Sequence, residues 1–270
     1  MDVRRIGSLL LGLALAFSLF AQAQAQTQKV QVAGYRFPPF VMMENGGHTG
    51  LTLEVIEALN DIQTQYEFEF FLTSSKRRYL DHKKGFYDLI LFEDRRWEWR
   101  DRPVSGTRVI ARDEEVFVAH SRQAHGEDFF QDLEERQMVG MLGFHYQFAN
   151  HVTDTGFLDT KFDMLLSSSL KRNLKLIRLD RPSLAEVAVV PRSFLNLYLS
   201  RHPDARQHLT VSDRVDQVYQ LRALVRDSSP IPVESLDRLL GQLEKSDRLT
   251  ALRRKYHLPP MDKDTDARSQ

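Results

Sequence analysis

Asp94-Arg95-Arg96-Trp97-Glu98-Trp99-Arg100-Asp101-Arg102 packs four arginines, three acids and both tryptophans of the chain into nine residues. A guanidinium fork offers parallel N–H donors that fix the charge and orientation of a planar anion. An indole face stacks on an apolar or cationic group. The same run also reads as a self-paired, charged surface loop. Upstream, Tyr35, Phe37 and Phe40 flank Pro38-Pro39, where their rings either pack under the turn or meet a bound molecule. Nine histidines are scattered, and none forms the His-x-x-x-His pair that puts two metal ligands on one helix face. The chain has no cysteine, which excludes disulfides and thiol catalysis. No phosphate loop, dinucleotide fingerprint or Gly-x-Ser-x-Gly elbow occurs. Neither a metal nor a cofactor is expected.

These groups need elements to hold them. Val30 and Val32 alternate with polar residues as in a half-buried strand, which Pro38-Pro39 ends. Asn45-Gly46-Gly47 supplies a turn, and a helix from Thr49 carries Leu51, Val55, Ile56 and Leu59 on one face. Tyr66 to Phe71 alternates as a second strand, a short helix covers Tyr79 to Lys84, and Asp88-Leu-Ile-Leu-Phe reads as a strand buried on both faces. Strand, helix, strand, helix, strand is the pattern of a doubly wound α/β lobe. Further on, Val109-Ile110, Val116 to Ala119, Met138 to Gly143, Phe162 to Leu166, Val187 to Val190 and Leu221 to Val225 read as extended. Helices are expected from a cap at Ser167 or Ser168 to Ile177, over Arg192 to Arg201, and over Val233 to Leu243 and Asp247 to Tyr256.

Residues 1–25 read as a cleaved export signal. Arg4 and Arg5 precede an apolar run from Leu9 to Phe20, and Ala21-Gln22-Ala23-Gln24-Ala25 offers cleavage after Ala23 or Ala25. No later segment is long and apolar enough to cross a bilayer. Lysine plus arginine and aspartate plus glutamate both number 37, so no global nucleic-acid signature exists. A freely diffusing periplasmic protein is expected.

The opening strand, Pro-Pro-Phe, Gly-turn and helix resemble the start of the mature family 3 periplasmic solute-binding proteins, known for capturing amino acids. Gly85-Phe-Tyr-Asp88-Leu-Ile, then Glu98-Trp99-Arg100, Val139-Gly140-Met-Leu-Gly143, Leu221 to Asp227 and Lys255-Tyr256 follow the family's order across nearly the whole mature chain. The resemblance implies an α/β fold of two lobes, each a sheet flanked by helices, joined by two crossover strands. Lobe one would hold 26–115 and 215–270, and lobe two 116–214. The lobes would close by hinge motion on a small solute.

By that resemblance Arg100 grips a ligand carboxylate, with Arg78 adding positive charge. Tyr35, Phe37 and Trp97 pack the ligand's body. His145, Tyr146 and Arg192 close from lobe two. The chain departs from the family at three places. Phe144-His145-Tyr146 replaces the usual Gly-Thr-Thr, Glu93 replaces a small hydroxyl residue, and Pro191-Arg192 falls where an Asp holds the ligand's α-amino group. The expected ligand is therefore acid-bearing and not an ordinary α-amino acid. The expected partner is an inner-membrane ABC permease, with a separate membrane receptor as the alternative, and the chain is expected to be a monomer. A periplasmic enzyme resembling cyclohexadienyl dehydratase, with Glu93 and His145 as acid and base, is the other reading.

Overall fold

The computed structural model describes residues 27–261, so the expected export signal lies outside the described residues. Eleven β-strands are described: β1 (Gln28–Gly34), β2 (Met42–Glu44), β3 (Gly47–Thr49), β4 (Tyr66–Leu72), β5 (Leu89–Glu93), β6 (Val104–Gly106), β7 (Ala111–His120), β8 (Met138–Met141), β9 (Met164–Ser167), β10 (Val187–Pro191) and β11 (Leu209–Arg226). The α-helices are α1 (Leu51–Asp61), α2 (Arg78–Lys83), α3 (Thr155–Phe162), α4 (Leu170–Arg178), α5 (Arg192–Arg201), α6 (Val233–Lys245) and α7 (Arg248–Lys255).

Hydrogen bonding runs continuously in the order β4-β1-β5-β11-β7-β10-β8-β9, with β6 on β11 and a separate β2-β3 hairpin. The β4-β1-β5 end is parallel, with Gln28 opposite Tyr66 and Val32 opposite Leu89. At the other end, β10, β8 and β9 are also parallel, with Val187 opposite Met138 and Met138 opposite Met164. Between these two parallel groups lie β7 and β11, antiparallel to each other. Their register shifts between Val211 and Val215 and again between Val215 and Gln217. Such bulges bend a strand and strengthen its twist, which lets one strand serve two lobes. Two parallel α/β groups joined by two crossover strands form the expected two-lobed α/β architecture.

The central parallel strands β5 and β10 are buried at every position and almost wholly apolar, as strands covered on both faces are, whereas β1 and β4 nearer the sheet edge carry polar residues. Over them, α1 places Leu51, Val55 and Leu59 four residues apart, all fully buried. Each such side chain contributes roughly 1.5–3 kcal/mol relative to exposure. In α4 the buried set is Leu170, Asn173, Leu174 and Ile177, the i, i+3, i+4, i+7 stripe.

Several local expectations shift. The α4 cap is Ser169, whose hydroxyl accepts from Arg172 N, in place of Ser167 or Ser168. Phe162 ends α3, so the strand starts at Met164. The short extended segments at Val116 and Leu221 are parts of the long β7 and β11.

Two crossover carboxylates fix lobe two. Asp113 of β7 accepts the backbone N–H (3.1 Å) and hydroxyl (2.5 Å) of Ser193 at the start of α5. Asp216 of β11 accepts the N–H groups of Gln147 and Phe148, both at 2.8 Å. The second pair anchors the turn that follows His145.

Candidate functional site: a closed aromatic cleft between the lobes

Where β1 ends at Gly34, the chain turns across the carboxyl edge of the lobe-one sheet and presents Tyr35 and Phe37, both buried. Binding sites in open α/β sheets lie at this edge. Phe40 N and Val41 N donate to Phe37 O (2.7 and 3.1 Å), which fixes the turn. Beside them, Arg78 opens α2 and is only 1% exposed.

A guanidinium that deep must be paired. Its Nε donates to Glu93 Oε2 at 3.3 Å, Nη1 to Ser75 O, and Nη2 to the Tyr79 hydroxyl at 2.6 Å. The plane lies over the rings of Tyr35 (4.8 Å) and Tyr79 (4.4 Å). Of the five N–H groups a guanidinium carries, these bonds use three. Glu93 is fully buried at the end of β5, and its Oε2 also accepts from Trp99 Nε1 at 2.5 Å. Its Oε1 has no hydrogen-bond partner. Burial raises the Glu93 carboxyl above the ordinary range, against the pull of Arg78.

Trp97 forms the next wall. Its indole meets Phe37 edge-on at 5.9 Å and Tyr219 of β11 at 4.9 Å, and its Nε1 donates to Gln217 Oε1 at 3.4 Å. From lobe two, the turn after β8 brings Gly143, Phe144 and His145. The Phe144 ring stands edge-on to Phe37 (5.3 Å) and Tyr35 (6.4 Å). His145 lies parallel to Trp97 at 6.4 Å, with Nε2 3.3 Å from Glu98 Oε1 and its carbonyl accepting from Gln217 Nε2.

Burial, followed by the charge on Arg78, pushes the His145 imidazole down to about 2. The ring is therefore neutral at any physiological pH. A base held below its unfolded value contributes stability that is intact above 6.5 and lost as pH falls below it. NMR titration should show no His145 ring transition between about pH 8 and pH 5. A midpoint near the ordinary 6.5 would contradict this environment.

Tyr35, Phe37, Arg78, Trp97, Gly143, Phe144, His145 and Tyr219 enclose a cavity of about 10 Å³. That is room for one water at most, against roughly 300–1,000 Å³ for small-molecule pockets. The lobes also touch directly: Ser75 Oγ donates to Leu142 O at 2.7 Å, and Arg201 Nη1 lies 2.5 Å from Glu44 Oε1. A wider interlobe groove of about 410 Å³ is lined from lobe one by Arg36, Met42 and Glu44 and from lobe two by Phe194, Tyr198 and Arg201. In this arrangement the cleft is shut and filled by its own rings.

Five of the expected site residues line this cavity: Tyr35, Phe37, Arg78, Trp97 and His145. Glu93 lies behind Arg78. Three do not join them. Arg100 is exposed, in a separate concavity with Arg95 and Arg96, because Trp97 and Trp99 turn inward and alternate with Glu98 and Arg100. Tyr146 is fully buried inside lobe two, where its hydroxyl accepts from Met141 N at 2.6 Å and its ring stacks on Phe148. Arg192 is paired with Glu114 at 2.5 Å. Sequence reasoning missed Gly143, Phe144 and Tyr219. Tyr219 was legible, since residues 217–221 alternate buried and exposed as a strand that begins well before Leu221. Among the described residues, no group of three or more His, Asp or Glu could hold a metal ion. No described helix is long and apolar enough to cross a membrane.

No family model and no curated protein matches the chain. Solved structures do. One is described as a binding component of an ABC transporter from Wolinella succinogenes complexed with lysine, at a TM-score of 0.66 and 13% identity over 88% of this chain and 97% of that one. A histidine kinase sensor domain with similarity to periplasmic binding proteins matches at 0.64 and 18%, over 88% and 100%. An ancestral amino-acid-binding protein, described as a precursor of cyclohexadienyl dehydratase, matches at 0.62 and 15%, over 85% and 95%. The chain has the two-lobed α/β fold of the periplasmic binding proteins.

Proposed function

We propose that this chain is an exported solute-binding protein that opens and recloses its lobes around a small acid-bearing molecule. The observation that carries the reading is the cavity at the mouth of the crossover strands. Both lobes line it, it is walled by five aromatic rings, and it holds one buried guanidinium with two N–H groups unused. The anion-gripping role expected of Arg100 falls to Arg78, and a ligand carboxylate would take those two donors. Tyr35, Phe37 and Trp97 would pack the ligand body, and Phe144 and His145 would close over it. The turn at Asp216 and the bulges in β11 would act as the hinge, dividing lobe one (26–115 and 215–270) from lobe two (116–214). The solute would pass to an inner-membrane ABC permease, from a monomer in the periplasm after removal of residues 1–25.

A thermal-shift panel of amino acids, dicarboxylates, aromatic acids, polyamines and short peptides tests this. A ligand at a hundredfold over its dissociation constant adds about 2.7 kcal/mol and should raise the melting temperature by several degrees. The expected hit is an acid, and its effect should vanish in Trp97→Ala. A panel in which polyamines alone bind would overturn the acid assignment.

A second reading has one observation behind it. Burial raises the Glu93 carboxyl behind Arg78 and holds the His145 imidazole neutral in the cavity wall, an acid and a base that such chemistry would use. Turnover of prephenate or arogenate by the purified protein would favour it.

A further inference from the structure

Outside the cleft, a second concavity of about 420 Å³ lies between the turn that follows β5 and the middle of β11. Its lining is Asp94, Arg95, Arg96, Arg100, Val218, Gln220 and Arg222, and it shares no residue with the aromatic cavity. Four guanidiniums therefore face one carboxylate. That carboxylate is already saturated. Asp94 accepts from Arg96 Nε (3.0 Å) and Nη2 (2.8 Å), and from the backbone N–H groups of Arg96 and Gln220 (both 2.9 Å). Arg222 donates to Thr107 O at 2.9 Å, a bond that leaves its charge uncompensated. Arg95 and Arg100 are exposed, and their side chains have no hydrogen-bond or ion-pair partner among the described residues. The acid nearest in sequence, Glu98, is engaged by Arg102 (3.6 Å) and His145 (3.3 Å).

Like charges gathered in one concavity repel, and the repulsion is relieved when an anion enters. The volume lies within the range of small-molecule sites, whereas an ordinary charged loop presents convex, separated side chains. Two fixed guanidiniums (Arg96 and Arg222) flank two unbonded ones (Arg95 and Arg100). This arrangement suits a ligand with several oxygens spread around it, because each fork takes a pair of oxygens.

We propose that the Arg95–Arg96–Arg100–Arg222 concavity is an anion site, separate from the interlobe cleft, for a small molecule bearing two or more phosphate or carboxylate groups. Burial, and then the charges of Arg96 and Arg100, hold the imidazole of His151 below its ordinary range. The site lies where the turn after β5 meets the crossover strand β11. An occupant would bridge the two.

Calorimetric titration at low ionic strength with inorganic pyrophosphate and with citrate tests the proposal on the purified protein. One-to-one binding is expected, weakened about tenfold or more in the Arg95→Ala/Arg100→Ala double variant and again by raising salt toward physiological strength. Both residues are exposed, so the double variant should melt as the parent does. Binding of pyrophosphate alone assigns a phosphate-bearing ligand, and binding of citrate alone a polycarboxylate. Failure of both anions to bind, or equal binding by the double variant, overturns the assignment.

Discussion

Replacing Arg78 by alanine should lower the unfolding free energy by about 3–5 kcal/mol, because it removes one partner of a buried ion pair and strands the other. Glu93, fully buried, would keep only neutral donors, Trp99 Nε1 and the Tyr35 hydroxyl. Ser75 O and the Tyr79 hydroxyl would each lose a bond. For a chain of this size each kcal/mol moves the melting temperature by about 2–4 °C, so a fall of roughly ten degrees is expected. The double variant Arg78→Met/Glu93→Gln should recover most of it, since a neutral, well-packed pair avoids the stranded charge. A melting temperature within a degree of the parent's for Arg78→Ala would mean that Glu93 is not held by this pair.

Gly50→Ala should be nearly as damaging, for a backbone reason. Gly50 precedes α1 with φ of 122°, a region that side-chain-bearing residues rarely adopt. A Cβ there would stand 2.5 Å from Phe40 O and 2.7 Å from Pro39 O. Those carbonyls receive the first N–H groups of the helix, Leu51 N to Pro39 O and Thr52 N to Phe40 O. The strain alone costs on the order of 1–3 kcal/mol, and the clash with fixed backbone adds to it. Gly46→Ala is the control. Its φ is 80°, but nothing lies within 4 Å of the added carbon, so only the strain remains. Denaturant unfolding of the two variants should rank Gly50→Ala clearly below Gly46→Ala. Equal losses would show that the Pro39–Phe40 turn yields.

How much of this was written in the chain depends on how many residues each feature uses. Strands buried on both faces, such as β5, whose Leu89 to Phe92 is an unbroken apolar run, could be read directly. So could α5, whose limits Arg192 and Arg201 follow from a helix-breaking Pro203 beyond its end. Helix α3 could not, since only Leu158 and Phe162 are buried and so sparse a stripe has no visible period. Its one local signal was Asp154, which caps the helix by accepting from Phe157 N at 2.8 Å. The β2-β3 hairpin was visible only as its Asn45-Gly46-Gly47 turn, because three-residue strands are too short to alternate.

The site was half legible for a related reason. Aromatic rings next to a strand end announce a buried wall, and Tyr35, Phe37 and Trp97 form one. The direction of a charged side chain in a turn is set by its neighbours' packing, which sequence position does not encode. Trp99 turns inward to reach Glu93, so Arg100 turns outward. Arg78, eleven positions before the start of the Leu89-to-Phe92 run, meets Glu93 only because α2 folds back against β5. Lobe two supplied the remaining misses. Tyr146 is spent on Met141 N, and Phe144 is the ring that fills the cleft.

The central claim is that a cleft now closed by its own side chains opens to take a solute. A distance measurement between the lobes tests it most directly. The chain has no cysteine, so Met43→Cys in lobe one and Lys175→Cys in lobe two, both exposed, would be the sole attachment points for a pair of spin labels. Pulsed dipolar spectroscopy should resolve a short and a longer separation in the free protein. The longer population should grow in Glu44→Ala, which removes the Arg201 contact across the groove. It should be depleted by whichever acid raises the melting temperature. One unchanging distance in all three conditions would contradict the account, because a cavity of about 10 Å³ that never opens has no solute to carry.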